Sequence, residues 1–155
     1  MKDFISPETP PDILFAGPVL AEHVQDCARA FVDFLVMTGR TANFTPESLP
    51  AVDSLVKQVA QEIAVPNPPE HLVKGLPHVR IFLFCYIGEV VRRNLGGHWV
   101  FPPGGASYLK DVGPARAQLF WDEQVMDALT NPQKSSFVEF YATARSLSTQ
   151  SLGPA

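Results

Sequence analysis

The chain has 155 residues, 46% of them hydrophobic and 18% charged, with a net charge of −4; a chain of that length can bury roughly 70% of its unfolded surface in one domain, which excludes disorder throughout. The acidic excess lies in the first half: residues 1–70 hold ten acids and four bases, whereas residues 71–155 hold six acids and eight bases. That basic remainder is too small and too scattered for nucleic acid, where clustered Lys and Arg must displace counterions.

In chain order, residues 1–17 read as an irregular arm. Pro7, Pro10 and Pro11 forbid a continuous helix there, while Phe4, Ile5, Ile13, Leu14 and Phe15 supply apolar anchors. The opening Met1-Lys2-Asp3-Phe4 lacks the basic and apolar regions of a signal peptide. The longest apolar run, Val79 to Ile87, is broken by Arg80 and too short to span a bilayer. No membrane contact is therefore expected, and the expected compartment is the cytoplasm. There Cys27 and Cys85, both in apolar helical patterns, stay as small buried thiols.

A first helix is predicted from Pro18 to Thr38, since Leu20, Val24, Cys27, Ala28, Phe31, Leu35 and Thr38 recur at three- and four-residue steps and Gly39 follows as a stop. Thr45 as cap, Pro46 in the first turn and Glu47 at the positive end of the dipole start a second helix, with Leu49, Val52, Val56, Val59 and Ile63 as its stripe. Pro66-Asn67-Pro68-Pro69 ends it as a stiff connector. A third helix is predicted from Pro77 to Asn94, closed by Gly96 and Gly97.

Beyond it the pattern turns to strands. His98–Phe101, Ser107–Val112 and Ala115–Trp121 are expected to pair, with Pro102-Pro103-Gly104-Gly105 as the first turn. A short helix over Asp122–Leu129 and a last one over Ser136–Ser146 follow, the latter opened by the capping box of Ser136 and Glu139 and presenting Phe137, Phe140, Tyr141 and Ala144 inward. Residues 148–155 read as a disordered tail. The fold class is α+β and mainly helical, with four to five helices and a small antiparallel sheet of two to three strands in the C-terminal half, all in a single domain over 1–155.

The third helix carries the most unusual pattern. At 100° per residue, Leu83, Phe84, Ile87, Gly88, Val90, Val91 and Leu95 cover one side, and His78, Cys85, Glu89, Arg92 and Arg93 lie on the other among Ile81, Phe82 and Tyr86. A helix apolar almost all round belongs at the centre of a domain. Gly88, costly in a helix interior, then marks a close approach by a neighbouring element. Glu89 stands three and four residues before Arg92 and Arg93, in the favourable acid-first order. Such a cluster is either a fold-fixing ion pair or a site for an anion or a partner.

Gly88-Glu89-Val90-Val91-Arg92-Arg93-Asn94-Leu95-Gly96-Gly97-His98-Trp99 resembles the central motif of a family of small uncharacterised bacterial domains. The same resemblance takes in Thr45-Pro46-Glu47-Ser48-Leu49 as a helix start and Ser136-Phe137-Val138-Glu139-Phe140-Tyr141 as the closing helix, so that it covers about residues 44–145. It implies an α+β fold and a bacterial origin, and no activity.

Enzyme chemistry finds little purchase. His71, His78, Cys85, Glu89 and His98 share one region but show no close ligand pair, and His78 and Cys85 stand about 10 Å apart by helix rise, so neither a metal nor another cofactor is expected. Cys85 sits among aromatics, a setting for packing rather than for a thiolate nucleophile. Neither glycine pair is followed by the Lys-Ser/Thr of a phosphate loop, and no Gly-x-Ser-x-Gly elbow occurs. The expected function is thus a non-catalytic binding or accessory domain acting through contact with another protein, an immunity-like partner being one form of it. The alternative is an enzyme or small-ligand receptor with a groove lined by Glu89, Arg92, Arg93 and His98. Candidate binding residues are Glu89, Arg92, Arg93, His98, Trp99 and His78, and candidate aromatic anchors are Trp99, Phe101, Tyr108, Phe120 and Trp121.

Overall fold

A computed structural model describes residues 17–103, 105–131 and 136–149. Its elements are α1 (Gly17–Met37), a 3₁₀ turn (Pro46–Ser48), α2 (Leu49–Ile63), α3 (Glu70–Leu95), β1 (His98–Val100), β2 (Tyr108–Val112), β3 (Ala117–Leu119), α4 (Asp122–Ala128) and α5 (Phe137–Thr149). The fold is α+β and mainly helical, with a three-stranded antiparallel sheet in the C-terminal half. Among the described residues no helix is long and apolar enough to cross a membrane. The expected arm over 1–17 falls outside them except for Gly17, which begins α1.

α1 buries Leu20, Val24, Cys27, Ala28, Phe31 and Leu35, the stripe its periodicity predicts. It stops where Gly39 takes a φ of +80°. There Arg40 N–H donates to Leu35 O at 2.9 Å and Gly39 N–H to Val36 O at 3.0 Å, which satisfies carbonyls that the helix end would leave bare.

α3 is longer than predicted. It begins at Glu70 rather than Pro77, after Pro69 as N-cap, and Pro77 lies inside it. Proline followed by an acid or by helix formers is the same start signal at both places, and the earlier one is used. Ile81 and every residue from Leu83 to Val91 are buried, so α3 is the central helix. α1 makes the most extensive contact with it.

α2 also departs from expectation. Pro46, Glu47 and Ser48 form the 3₁₀ turn, and the α-helix proper starts at Leu49; Thr45 makes no side-chain cap. The cause is tertiary, because the Ser48 hydroxyl is held by Thr45 O at 2.6 Å and by the buried Tyr86 hydroxyl at 2.7 Å.

In the sheet, His98 pairs with Lys110, Trp99 with Leu109 and Val100 with Tyr108, while Leu109 pairs with Leu119 and Val112 with Ala117 across an irregularity. Each strand is shorter than predicted. The inward face carries Leu109, Val112 and Leu119, all buried, with Trp121 just beyond β3. A side chain at Gly88 of α3 would strike the rings of Trp99 and Trp121, so this glycine is the notch through which sheet and central helix meet.

α5 is capped from a distance. The Asp53 carboxylate on α2 accepts from Phe137 N–H at 2.7 Å, Ser136 Oγ at 2.9 Å and Val138 N–H at 3.3 Å, while Ser136 Oγ accepts from Glu139 N–H at 3.2 Å. The helix runs to Thr149, past its predicted end. Ser148, predicted to lie in the tail, is buried, and its carbonyl accepts from Ala115 N–H at 3.0 Å. The remainder of the predicted tail, 150–155, lies outside the described residues.

Candidate functional site

Glu89 lies near the C-terminal end of α3, on a turn that faces β1 and α1, and it is 0% exposed. Arg92 grips it with both ends of its fork, Nε to Oε2 and Nη2 to Oε1, each at 2.8 Å. Arg93 Nε donates to Oε1 at 3.0 Å. The Trp99 indole N–H, brought over by β1, donates to Oε2 at 2.8 Å. Gln25 from α1 adds a further hydrogen bond to the carboxylate. Burial would push this carboxyl up, but the hydrogen bonds from Arg92, Trp99, Gln25 and Arg93 outweigh it and hold the group down at about 2. In return Glu89 raises the Arg92 guanidinium above its ordinary value.

The second layer holds the arginines in turn. Arg93 donates to Gln25 Oε1 at 3.1 Å and lies 3.8 Å over the Phe44 ring. Phe44, at a φ of +60°, is fixed by Asn94, which donates to its carbonyl at 2.9 Å, and by its own N–H to the Tyr86 hydroxyl at 3.2 Å. Two helices and a strand thereby converge on one carboxylate. Both arginine side chains remain about one-third exposed, at 34% and 36%, so the cluster shows water a cationic rim and encloses its only acid.

The candidate residues divide accordingly. Glu89, Arg92, Arg93 and Trp99 come together. His98 does not join them: its side chain is 61% exposed, and Nε2 lies 3.7 Å from Asp111, which also faces Arg116 at 3.6 Å. Trp99 and His98 are neighbours on a strand, so their side chains take opposite faces of the sheet. His78 stands eleven residues before Glu89 on α3, about 16 Å away by helix rise, with its ring beside Phe82. Gln25 was not singled out in the sequence. It belongs to α1, and its only signal is a position on the flank of that helix's apolar stripe.

A groove that drew Glu89, Arg92, Arg93 and His98 around a ligand is not formed by this geometry, because the acid is closed off and the histidine faces away. Two open clefts lie elsewhere on the described surface. One, of about 530 Å³, runs beside α2 and is lined by residues including Arg40, Asp53, Ser54 and Lys57. The other, of about 510 Å³, separates the start of α2 from α5 and includes Leu49, Tyr141 and Arg145. Neither contains a candidate residue. Among the described residues no three His, Cys, Asp or Glu side chains gather as a group able to hold a metal ion.

The aromatic anchors also separate. Trp121 is fully buried and stacks on Phe84, its indole donating to Phe84 O at 2.9 Å. Trp99 and Phe101 stack on one another at the edge of the core. Tyr108 and Phe120 stack at 4.5 Å between ring centres on the outer side of the sheet, and Phe120 is 49% exposed. Comparison with protein-family models, with curated proteins and with solved structures finds no match to this chain in any of the three.

Proposed function

We propose that the protein is a non-catalytic binding domain of the bacterial cytoplasm whose partner is another protein, held on the outer face of the sheet. The observation that carries this reading is the stacked Tyr108–Phe120 pair, a rigid aromatic surface on the outer side of the sheet whose Phe120 ring is half in water. Large rigid aromatics of this kind supply much of the energy of protein interfaces, because they cover area at little cost in rotamer entropy. Val100, opposite Tyr108 in the ladder, extends the apolar row onto β1. Lys110 and the His98–Asp111–Arg116 group give it a charged rim. The closed Glu89 cluster supports the same reading from the other side, since a carboxylate already saturated by its own protein has no capacity left for a substrate.

The test is a photoreactive phenylalanine analogue placed at position 120 in the native host, with the same group at Met126, an exposed position on α4, as control. The reading predicts that a single protein is cross-linked from position 120 and not from 126. No cross-link, or the same products from both positions, would overturn it.

A further inference from the structure

We infer that the open cleft beside α2 is a binding site for a small phosphorylated polyol, its phosphate held between Arg40 and Lys57 and its hydroxyls by Ser54 and Gln61. Residues 1–70 hold ten acids and only four bases. The fold brings two of those bases, Arg40 and Lys57, to one cleft of about 530 Å³. Pro50, Ser54, Lys57 and Gln61 recur at three- and four-residue steps, so they share one face of α2, and the chain leaving α1 lays Arg40 against it. Neutral groups hold the guanidinium there. Its Nη2 donates to Gln58 Oε1 at 2.9 Å and to Ser54 Oγ at 3.1 Å, and its Nη1 to Thr38 O at 3.4 Å. These acceptors orient the charge without cancelling it, and among the described residues neither Arg40 nor Lys57 makes an ion pair.

Asp53, the acid among the described lining residues, is already engaged. Its carboxylate caps α5 by accepting from Ser136, Phe137 and Val138, and Lys57 stands one helical turn further along α2. The donors left for a ligand are Arg40 Nε, the Lys57 ammonium, the Ser54 hydroxyl, which accepts from Arg40 and keeps its own proton to give, and the Gln61 amide. Two cations beside hydroxyl and amide donors suit a phosphate ester, which carries about −2 at neutral pH and accepts through three oxygens. The remainder of the lining selects the rest of the molecule. No aromatic ring is present among the described lining residues to stack on a base, and Pro50 is the apolar residue there, so nothing rewards a hydrocarbon tail. A compact, hydroxyl-bearing ester meets both conditions, and the volume lies within the range of about 300–1,000 Å³ usual for small-molecule sites.

The cleft shares no residue with the outer sheet face, so this inference stands apart from the proposed partner surface. To test it, glycerol phosphate is added to isotope-labelled protein while backbone amide and arginine side-chain NMR signals are followed. The expected result is a set of saturable shifts confined to the Arg40 Nε–H and the amides of residues 53–61, with a millimolar Kd. Inorganic phosphate should bind several-fold more weakly, and glycerol not at all. Arg40→Gln and Lys57→Gln should each weaken binding about tenfold, the loss of one charge-assisted hydrogen bond, while Lys74→Gln, on the exposed first turn of α3, leaves it unchanged. Arg40→Gln also gives up the bonds to Ser54 and Gln58; if that variant does not fold, Lys57→Gln decides, since the Lys57 side chain is exposed and its removal opens no core. No saturable shift, shifts shared evenly with other surface lysines, tighter binding of citrate or of inorganic phosphate than of the ester, or full affinity in Lys57→Gln would each overturn it.

Discussion

Glu89 keeps its charge inside the protein because four side chains and the geometry of one helix turn replace the water it gives up. Taking an ion from water is costly, so such a cluster adds little net stability over an apolar core, yet removing one member leaves the others uncompensated. Gly88, its neighbour, has the opposite role, contributing absence. Alanine there would gain about 1 kcal/mol of helix propensity but would collide with the Trp99 ring and sit 2.7 Å from Trp121 Cζ2. Overpacking of that kind costs about 1–3 kcal/mol or more, so Gly88→Ala should lower stability in urea unfolding, and an unchanged midpoint would mean the tryptophans have room to move. Phe120 is the contrasting case. Exposed and outside the core, it should tolerate Phe120→Asp with a stability change below about 1 kcal/mol, while partner capture from host lysate is lost; a variant that unfolds would place Phe120 among the packing residues instead.

At the scale of elements, the structure rests on ends tied to distant side chains. Asp53 of α2 takes the free N–H groups at the start of α5, a cap that reaches across more than eighty residues of sequence. Asp53→Ala should cost about 1–2 kcal/mol, measured by thermal or urea unfolding, with the loss of exchange protection concentrated in α5. Loss spread evenly over the protein would contradict a local capping role. The helical stripes of α1 and α2 were legible in the sequence because a three- and four-residue period survives any tertiary context. The Ser136–Glu139 capping box was legible for the same reason, being local. Asp53 was not, since nothing near it in the chain announces a helix waiting for a cap. The start of α3 at Glu70 was missed because two prolines offered the same signal, and the start of α2 was displaced because Tyr86 claims the Ser48 hydroxyl.

For the whole molecule, the class of fold could be read from the change of period after Gly97, and the pairing of Glu89 with Arg92 and Arg93 from helical spacing alone. What spacing could not give was the third dimension of that cluster: Gln25 arriving from α1, Trp99 turning inward while His98 turns outward, and the aromatic pair left on the outer sheet face. The central claim is that Glu89 is a closed structural tie rather than a ligand site, and its charge makes a measurable demand on the fold. Its carboxyl is held at about 2 against an ordinary 4.5. A depressed folded value means that its contribution is fully present above the unfolded value and disappears as pH falls through the folded one. The unfolded chain takes up a proton that the folded protein refuses, so about 3 kcal/mol should be lost between about pH 4.5 and about pH 2. Urea unfolding of the wild type and of Glu89→Gln across that interval is the most direct measurement. The account predicts a variant about 3–5 kcal/mol less stable at neutral pH, with the wild-type advantage shrinking as acid is added. Two parallel curves starting from equal stability would contradict it.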